Sequence, residues 1–440
     1  MKRYDITNDA VLGEVKTLIA ALSEPGAGDA SIQEKIEAAR WIVDAVRKNG
    51  DAAVAELTER YDGVALLPEQ FEVTEEEMQA AMGQVDQRLL SIIERAHENI
   101  RRFHSKFLRE SWQVTDEDGT ILGQRITAIE SAGVYVPGGK AFYPSSVLMN
   151  IVPARVAGVK EIVMVSPPSY KGGIHPAVLA AARIAGATRV FRIGGAQSVA
   201  ALAYGTETIP AVTKITGPGN TFVTAAKALV RGTVEIDSEA GPSEVVVLAD
   251  ASAKPDFVAA ELLAQAEHDE EAMCVLITPC AELAEAAVRC AEDTAATLPR
   301  REIVERSLRN RGAVIVTRDL DEAIELTNLY AAEHLSVQVE RPLIVADKIK
   351  NAGAMMLGDM TPVAVGDYYA GPNHILPTGR KARFSSPLTA EDFRKVTSVL
   401  YYSKERLTRE ADDIETFATV EELQAHARSV TVRVGTEDAQ

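Results

Sequence analysis

Apolar side chains recur every three or four positions across residues 31–48, the spacing that gathers them into one stripe along a helix. Thr74 with Glu77 forms a capping box, in which a hydroxyl and a carboxylate each satisfy a free backbone N–H of a first helical turn. It predicts a long amphipathic helix running to about residue 108, so the N-terminal quarter of the chain is expected to be helical. The period then falls to two. Residues 112–129 alternate polar and apolar around Asp118-Gly119, a dipeptide that favours a tight hairpin. A new unit is expected from about Ala132. There Ala154-Arg155-Val156-Ala157-Gly158 returns as Ala182-Arg183-Ile184-Ala185-Gly186, and each copy is followed by a β-branched run. Helix, glycine stop and buried strand are thus written twice.

The same order continues. Strands are expected at 212–216, 244–248, 275–278, 313–316 and 335–339, with helices at 256–268 and 321–330. Short, fully apolar strands alternating with helices are what a parallel sheet with crossover helices requires. The pattern breaks into a glycine- and proline-rich stretch at 351–378, long enough to suggest function. Residues 389–428 read as two helices and a terminal strand, too small to hold a core alone.

A chain of 440 residues with 46% hydrophobic and 25% charged content has material for two or three packed domains. Its 46 basic and 64 acidic residues give a formal charge of -18, which repels phosphate backbones and anionic lipid surfaces. Neither nucleic acid nor a membrane is an expected partner. The first twenty residues mix Lys2, Arg3, Asp5, Asp9 and Glu14 with apolar ones and lack the core of a secretory signal. Three cysteines, Cys274, Cys280 and Cys290, fit neither a disulfide framework nor a zinc finger and read as small buried hydrophobes. The expected location is a reducing cytoplasm.

Of seven histidines, four (His268, His334, His374 and His426) stand beside carboxylates, amides or glycines. Gln265 with His268, Asp367 with His374, and an isolated His426 could supply nitrogen and oxygen ligands to one divalent metal. Gln265 and His268, three apart on a predicted helix, would project from one face, with Glu267 turned to solvent or behind the ligands. A charged helix end explains that pair as simply. Asp367 and His374 flank turn formers, so a loop is expected to hold them. Thr419 and Glu422 satisfy a second capping box, which would leave Glu421 free as a ligand. Glu333-His334, placed where a helix gives way to a strand, suits acid and base work, although a histidine also suits a helix C-terminus. Three loops at strand ends, 135–139, 194–197 and 216–220, carry the glycines that let backbone approach a pyrophosphate. No G-x-G-x-x-G accompanies them, and plain tight turns remain the alternative.

Taken together, Ile236-Asp237-Ser238-Glu239-Ala240-Gly241-Pro242-Ser243-Glu244, Gln265-Ala266-Glu267-His268-Asp269, Ala332-Glu333-His334-Leu335, and Gly366-Asp367-Tyr368 through Gly371-Pro372-Asn373-His374-Ile375-Leu376-Pro377-Thr378 resemble the histidinol dehydrogenase family, in the family's order, from about Ser31 to His426. The resemblance implies an α/β fold of two incomplete Rossmann-like, aldehyde-dehydrogenase-like domains with parallel-sheet cores, plus helical N-terminal and small C-terminal segments. On that reading 1–30 is an N-terminal arm, 31–130 with 238–385 the domain for substrate and metal, 131–237 the NAD domain, and 386–440 a dimerisation segment. It also implies a homodimer oxidising L-histidinol to L-histidine with two NAD. One zinc per subunit would be held by Gln265, His268, Asp367 and His426, the last crossing from the partner. Ser243, His334, His374 and Glu421 would touch substrate, as would the ligands, and Tyr135, Gln197 and Asn220 would touch NAD. Glu333 and His334 would be catalytic. Arg380-Lys381 and Ser386-Pro387 depart from the usual pattern. A zinc hydrolase of a small amino-acid derivative would use the same ligands without needing three glycine loops. A zinc-stabilised assembly protein would leave Glu333-His334 without a task.

Overall fold

The structure, a computed structural model, describes residues 1–6, 9–21, 30–106, 108–139, 141–239 and 241–434. The chain divides into two units, Met1–Phe107 with Ile129–Phe393, and Leu108–Ala128 with Arg394–Gln440.

Two parallel sheets form the first unit. One has five strands in the order Arg189–Phe191, Glu161–Val165, Ser131–Tyr135, Lys214–Thr216 and Glu235–Ile236. The other has six, in the order Lys2–Asp5, Gly312–Val316, Met273–Thr278, Glu244–Ala249, His334–Gln338 and Ala354–Leu357. Central strands such as Glu244–Ala249 and Met273–Thr278 are buried throughout, which is why they are apolar on both faces. The repeated glycine stops do their work as expected: Gly158 and Gly186 end helices Pro144–Ala157 and Pro176–Ala185 with φ of 95° and 88°, a conformation that costs glycine little.

Several expectations are corrected. The helix predicted from 74 to 108 is two, Glu75–Gln84 and Gln87–His104, because Asp86 accepts hydrogen bonds from the N–H groups of Arg88 and Leu89 and so starts a new one. The Thr74–Glu77 capping box is present. Helix Pro255–Ala266 stops before His268. The stretch 351–378 holds a strand, Ala354–Leu357, and a helix, Val363–Tyr368. The segment 31–130 does not join 238–385 as one body: helix Ala30–Asp62, kinked at Gly50, buries Ile42, Val46, Val54 and Leu57 in one core with Val163, Phe191 and Leu202 of the five-stranded layer, while helix Gln87–His104 does reach Tyr369 through Arg95 and Asn99. The first residues are no free arm, since Lys2–Asp5 adds a strand to the six-stranded sheet. The rest of the expected arm at 7, 8 and 22–29 lies outside the described residues.

The second unit is the predicted hairpin, Trp112–Thr115 with Ile121–Ala128, extended by Arg394–Tyr401 into an antiparallel sheet and followed by helices Lys404–Val420 and Gln424–Val434. Its strand precedes the helices instead of ending the chain. Thr419 starts no helix: it sits in the last turn of one, its hydroxyl bonded back to the Glu415 carbonyl, and Glu422 follows with φ of 60°. Leu400, Phe417 and Val420 are 70–80% exposed, so this small unit leaves much apolar surface uncovered.

Candidate functional site

The reactive pair is set by a change of backbone direction. Helix Leu320–Tyr330 ends at Ala331 in the left-handed conformation, and three residues later His334 opens a central strand beside Glu244–Ala249. Glu333 and His334 are thereby buried side by side at the amino ends of the six-stranded sheet, with Glu333 Oε2 3.5 Å from His334 Nδ1. The neighbouring strand holds both. The Glu244 N–H donates to Glu333 Oε2 at 2.7 Å, and its carbonyl accepts from His334 Nδ1 at 3.2 Å. The other ring nitrogen, Nε2, lies 3.3 Å from Asp367 Oδ1. Burial pushes the imidazole down, but Glu333 and Asp367 outweigh it and hold His334 protonated well above its usual range. Burial likewise raises Asp367, and the His334 hydrogen bond and charge reverse this and keep the carboxyl low.

Asp367 is on the short helix Val363–Tyr368, not in a loop as the sequence suggested, and that helix is anchored at its start by Glu261 Oε2 accepting from the Val363 N–H at 2.9 Å. His374 accepts its place from two sides: Nδ1 is 3.0 Å from the Asp367 carbonyl and Nε2 3.3 Å from Ser146 Oγ. His268, one residue past the helix cap, is near enough to Asp367 to lower its pKa, as is His374. Gln265 is buried with Nε2 lacking a partner, and turning its amide would present Oε1 at the same place. Amide oxygen, imidazole and carboxylate are a donor set that suits a divalent cation with borderline preferences, so the residues present fit one. Among the described residues no three His, Cys, Asp or Glu side chains form a metal-holding group by themselves. Of the expected ligands, His426 belongs to the second unit with Glu421, and both are exposed there. Ser243 is half-buried just before strand Glu244–Ala249, and Glu267 is exposed.

The glycine loops gather elsewhere. In the five-stranded sheet the chain steps one way from Ser131–Tyr135 to Glu161–Val165 and the other way to Lys214–Thr216, so the crevice at the carboxyl ends of those strands is a topological switch point. Tyr135 and the loop 216–220 meet there. Gly217 has φ of 115°, and a Cβ on it would run into the Tyr135 carbonyl. Its N–H donates to Asp237 Oδ2 at 2.7 Å and its carbonyl accepts from Lys227 Nζ at 3.0 Å, within a buried Lys227–Asp237 ion pair. The Asn220 side chain caps helix Thr221–Val230 through the N–H groups of Phe222 and Val223. Gln197 Nε2 reaches Asp62 Oδ2 at 3.4 Å, and burial raises that carboxyl to about 6. Burial also pushes the Tyr135 phenol up to about 12, against a hydrogen bond from Gly195. Gly217→Ala should cost about 1–3 kcal/mol through a strained backbone and the displaced loop. A lower urea midpoint at unchanged slope would show it.

Glu244, Glu261, Asp62 and the Lys227–Asp237 pair were not singled out from the sequence. Only Glu244 carries a signal there, as a lone charge opening an otherwise apolar strand. Cys274 is buried with its thiol raised to about 12 by burial, which agrees with a packing role.

The sequence profile described as Histidinol dehydrogenase matches residues 27–434. The chain is 51% identical to the histidinol dehydrogenase of Geobacillus kaustophilus over 92% of its own length and 95% of that protein. It is 49% identical to that of Bacillus subtilis over 96% and 98%. The crystal structure of histidinol dehydrogenase from Elizabethkingia anophelis superposes with a TM-score of 0.91 at 34% identity, covering 100% of this chain and 99% of that one.

Proposed function

Because this chain belongs to the histidinol dehydrogenase family, oxidoreductases of histidine biosynthesis, we propose that it oxidises L-histidinol through L-histidinaldehyde to L-histidine, passing two hydrides in turn to NAD at Glu333 and His334, with one zinc ion per subunit. The observation that carries the reading is the buried Glu333–His334 pair with Asp367 3.3 Å from the ring.

Gln265, His268 and Asp367 would hold the ion, with His426 supplied by the partner of a homodimer. The uncovered apolar side chains of the C-terminal unit support such a dimer, since exposed clusters of this kind mark association surfaces. When bound, zinc supplies a fixed positive charge that orients an amino alcohol, and NAD supplies the hydride acceptor. In its neutral form, reached when its proton passes to solvent, His334 takes the hydroxyl proton as the carbinol carbon loses hydride to NAD. Glu333 takes a proton from the water that adds to the aldehyde, and His334 acts again in the second oxidation. Ser243, His374, Glu421 and the ligand residues would hold the substrate. Tyr135, Gln197 and Asn220, around the switch point, would hold NAD, and the Lys227–Asp237 pair keeps that loop in shape. Among the described residues no helix is long and apolar enough to cross a membrane, and a cytoplasmic location belongs to the same proposal.

Following NADH absorbance with L-histidinol should give two NADH per substrate consumed, with loss on chelation and return on adding zinc. One equivalent, or turnover indifferent to chelation, would reject the reading.

A further inference from the structure

Glu244 lies at the centre of the reactive cluster without belonging to it by any assigned role. It is wholly buried, and its main chain alone holds both Glu333 and His334. Its side chain points the other way: Oε1 accepts from the Gly379 N–H, while Oε2 has no partner. Thr378, the residue before, accepts through Oγ1 from the Gly241 N–H at 2.6 Å. One residue thus ties the reactive pair to the loop 378–381 and, through that loop, to the segment leading into Ser243.

Among the described residues no lysine or arginine pairs with the Glu244 carboxyl, and the positive group that faces it is the His334 ring. The start of strand His334–Gln338 presents Glu333 and His334, and the His334 ring is already engaged by the Glu244 carbonyl and by Asp367. Helix Leu320–Tyr330 presents Tyr330, whose hydroxyl points to the Met273 sulfur. The Gly379 loop presents a backbone N–H, since Arg380 Nε turns to the Leu329 carbonyl and Lys381 Nζ to that of Glu239. Glu244 and Glu333 therefore share a buried pocket with one imidazole whose other nitrogen is taken up by Asp367. A buried carboxylate with a bare oxygen costs more than a neutral acid there, so the lone negative charge falls to the member nearer the ring.

We propose that Glu244 is a positioning residue whose carboxyl works in its uncharged form, holding the loop 378–381 while leaving Glu333 as the anion beside His334. The inference rests on Glu333 and His334 being the reactive pair. Burial, with the charge of Glu333 added, pushes the Glu244 carboxyl up to about 8, in agreement with that assignment. A folded-state value above that of an exposed glutamate means that its contribution to stability is full below the exposed glutamate's range, is lost progressively as the pH rises from there, and is gone above about pH 8.

E244Q copies the neutral acid in shape and keeps the acceptor for Gly379. At neutral pH it should retain kcat within about threefold, and E244A, which leaves the Gly379 N–H unpaired, should lose more than about tenfold in kcat with little change in KM. Thermal unfolding of the full-length protein supplies a readout independent of turnover. The Tm of E244Q relative to the unsubstituted enzyme should rise between about pH 5 and about pH 8 and level off above that, because only the carboxyl ionises. A constant Tm difference across that range, or a loss beyond about tenfold in kcat for a folded E244Q, would overturn the proposal. If E244Q does not fold, E333Q decides: removing the neighbouring charge should move the pH-dependent fall in Tm to lower pH, and an unmoved fall overturns the proposal. An unsubstituted enzyme inert towards histidinol would count against the reaction, while the unfolding comparison would still read Glu244.

Discussion

Glu333→Gln should slow the oxidation of added L-histidinaldehyde by about 10²- to 10⁴-fold, the usual worth of a positioned proton acceptor, while the oxidation of L-histidinol to the aldehyde falls by at most about tenfold. The asymmetry follows from what each half-reaction needs. The first needs an acceptor for one hydroxyl proton, and His334 Nε2 is on the side of the ring that faces Asp367. The second needs water added to a carbonyl, and that water must lose a proton before hydride can leave. Glu333 has one oxygen committed to the Glu244 N–H and the other free for this task. Glutamine keeps a carbonyl oxygen for that hydrogen bond but cannot take up a proton. The smaller loss in the first step arises because Glu333 helps to hold the charge on His334, so its removal weakens the ring as a base. Single-turnover measurements starting from histidinol and from histidinaldehyde would separate the two, and equal losses would refute this division of labour.

Much of the α/β core was legible because its signals are local. A run such as Val245 to Leu248 buried on both faces has to be apolar at every position, and a helix ended by Gly158 or Gly186 announces its stop. What misled were signals that overlap. Thr74–Glu77 starts a helix in plain view, but Asp86 twelve residues later starts another, and an aspartate inside an amphipathic pattern is easily taken for its polar face. Thr419 and Glu422 match a capping box by spacing, yet the backbone puts them at a helix end, where the hydroxyl bonds backwards instead. Domain membership was the least legible. Whether Ile42 and Leu57 face one sheet or the other depends on chain-distant partners such as Phe191, about which a helical stripe says nothing.

The site divides in the same way. Glu333-His334 could be placed at an element boundary from the pattern, and their burial together agrees with it. Their support could not. Glu244, Glu261 and Asp62 act through backbone N–H groups or amides far away in sequence, and spacing carries no trace of a bond from residue 244 to residue 379 or from 261 to 363. The glycine loops illustrate a middle case. Their composition suggested close approach of backbone to a ligand, and the topology supplies the reason for their gathering, a crevice where the sheet connections diverge.

Mixing two dead variants should restore activity. If His426 completes the partner's metal site, neither His268→Asn nor His426→Asn homodimers contain a whole ligand set, and each should lose most zinc and most turnover. In a mixed dimer, the subunit carrying His426→Asn keeps its own His268 and receives His426 from the other, so one of the two sites is whole and the other lacks both ligands. Random reassortment makes about half of all dimers mixed, so the mixture should regain about a quarter of the unsubstituted activity and a matching share of bound zinc. The exposed apolar side chains on the unit that bears His426 are the reason to expect exchange at the subunit interface, with Phe417 and Val420 only a few residues from the histidine. A ligand set drawn from one chain predicts a different result, because every subunit in the mixture would still lack one histidine and no combination could repair it. Mixing after mild denaturation, with refolding in zinc and an assay for NADH, therefore reads directly which chain supplies His426, and recovery no higher than that of the separate variants would exclude the shared site.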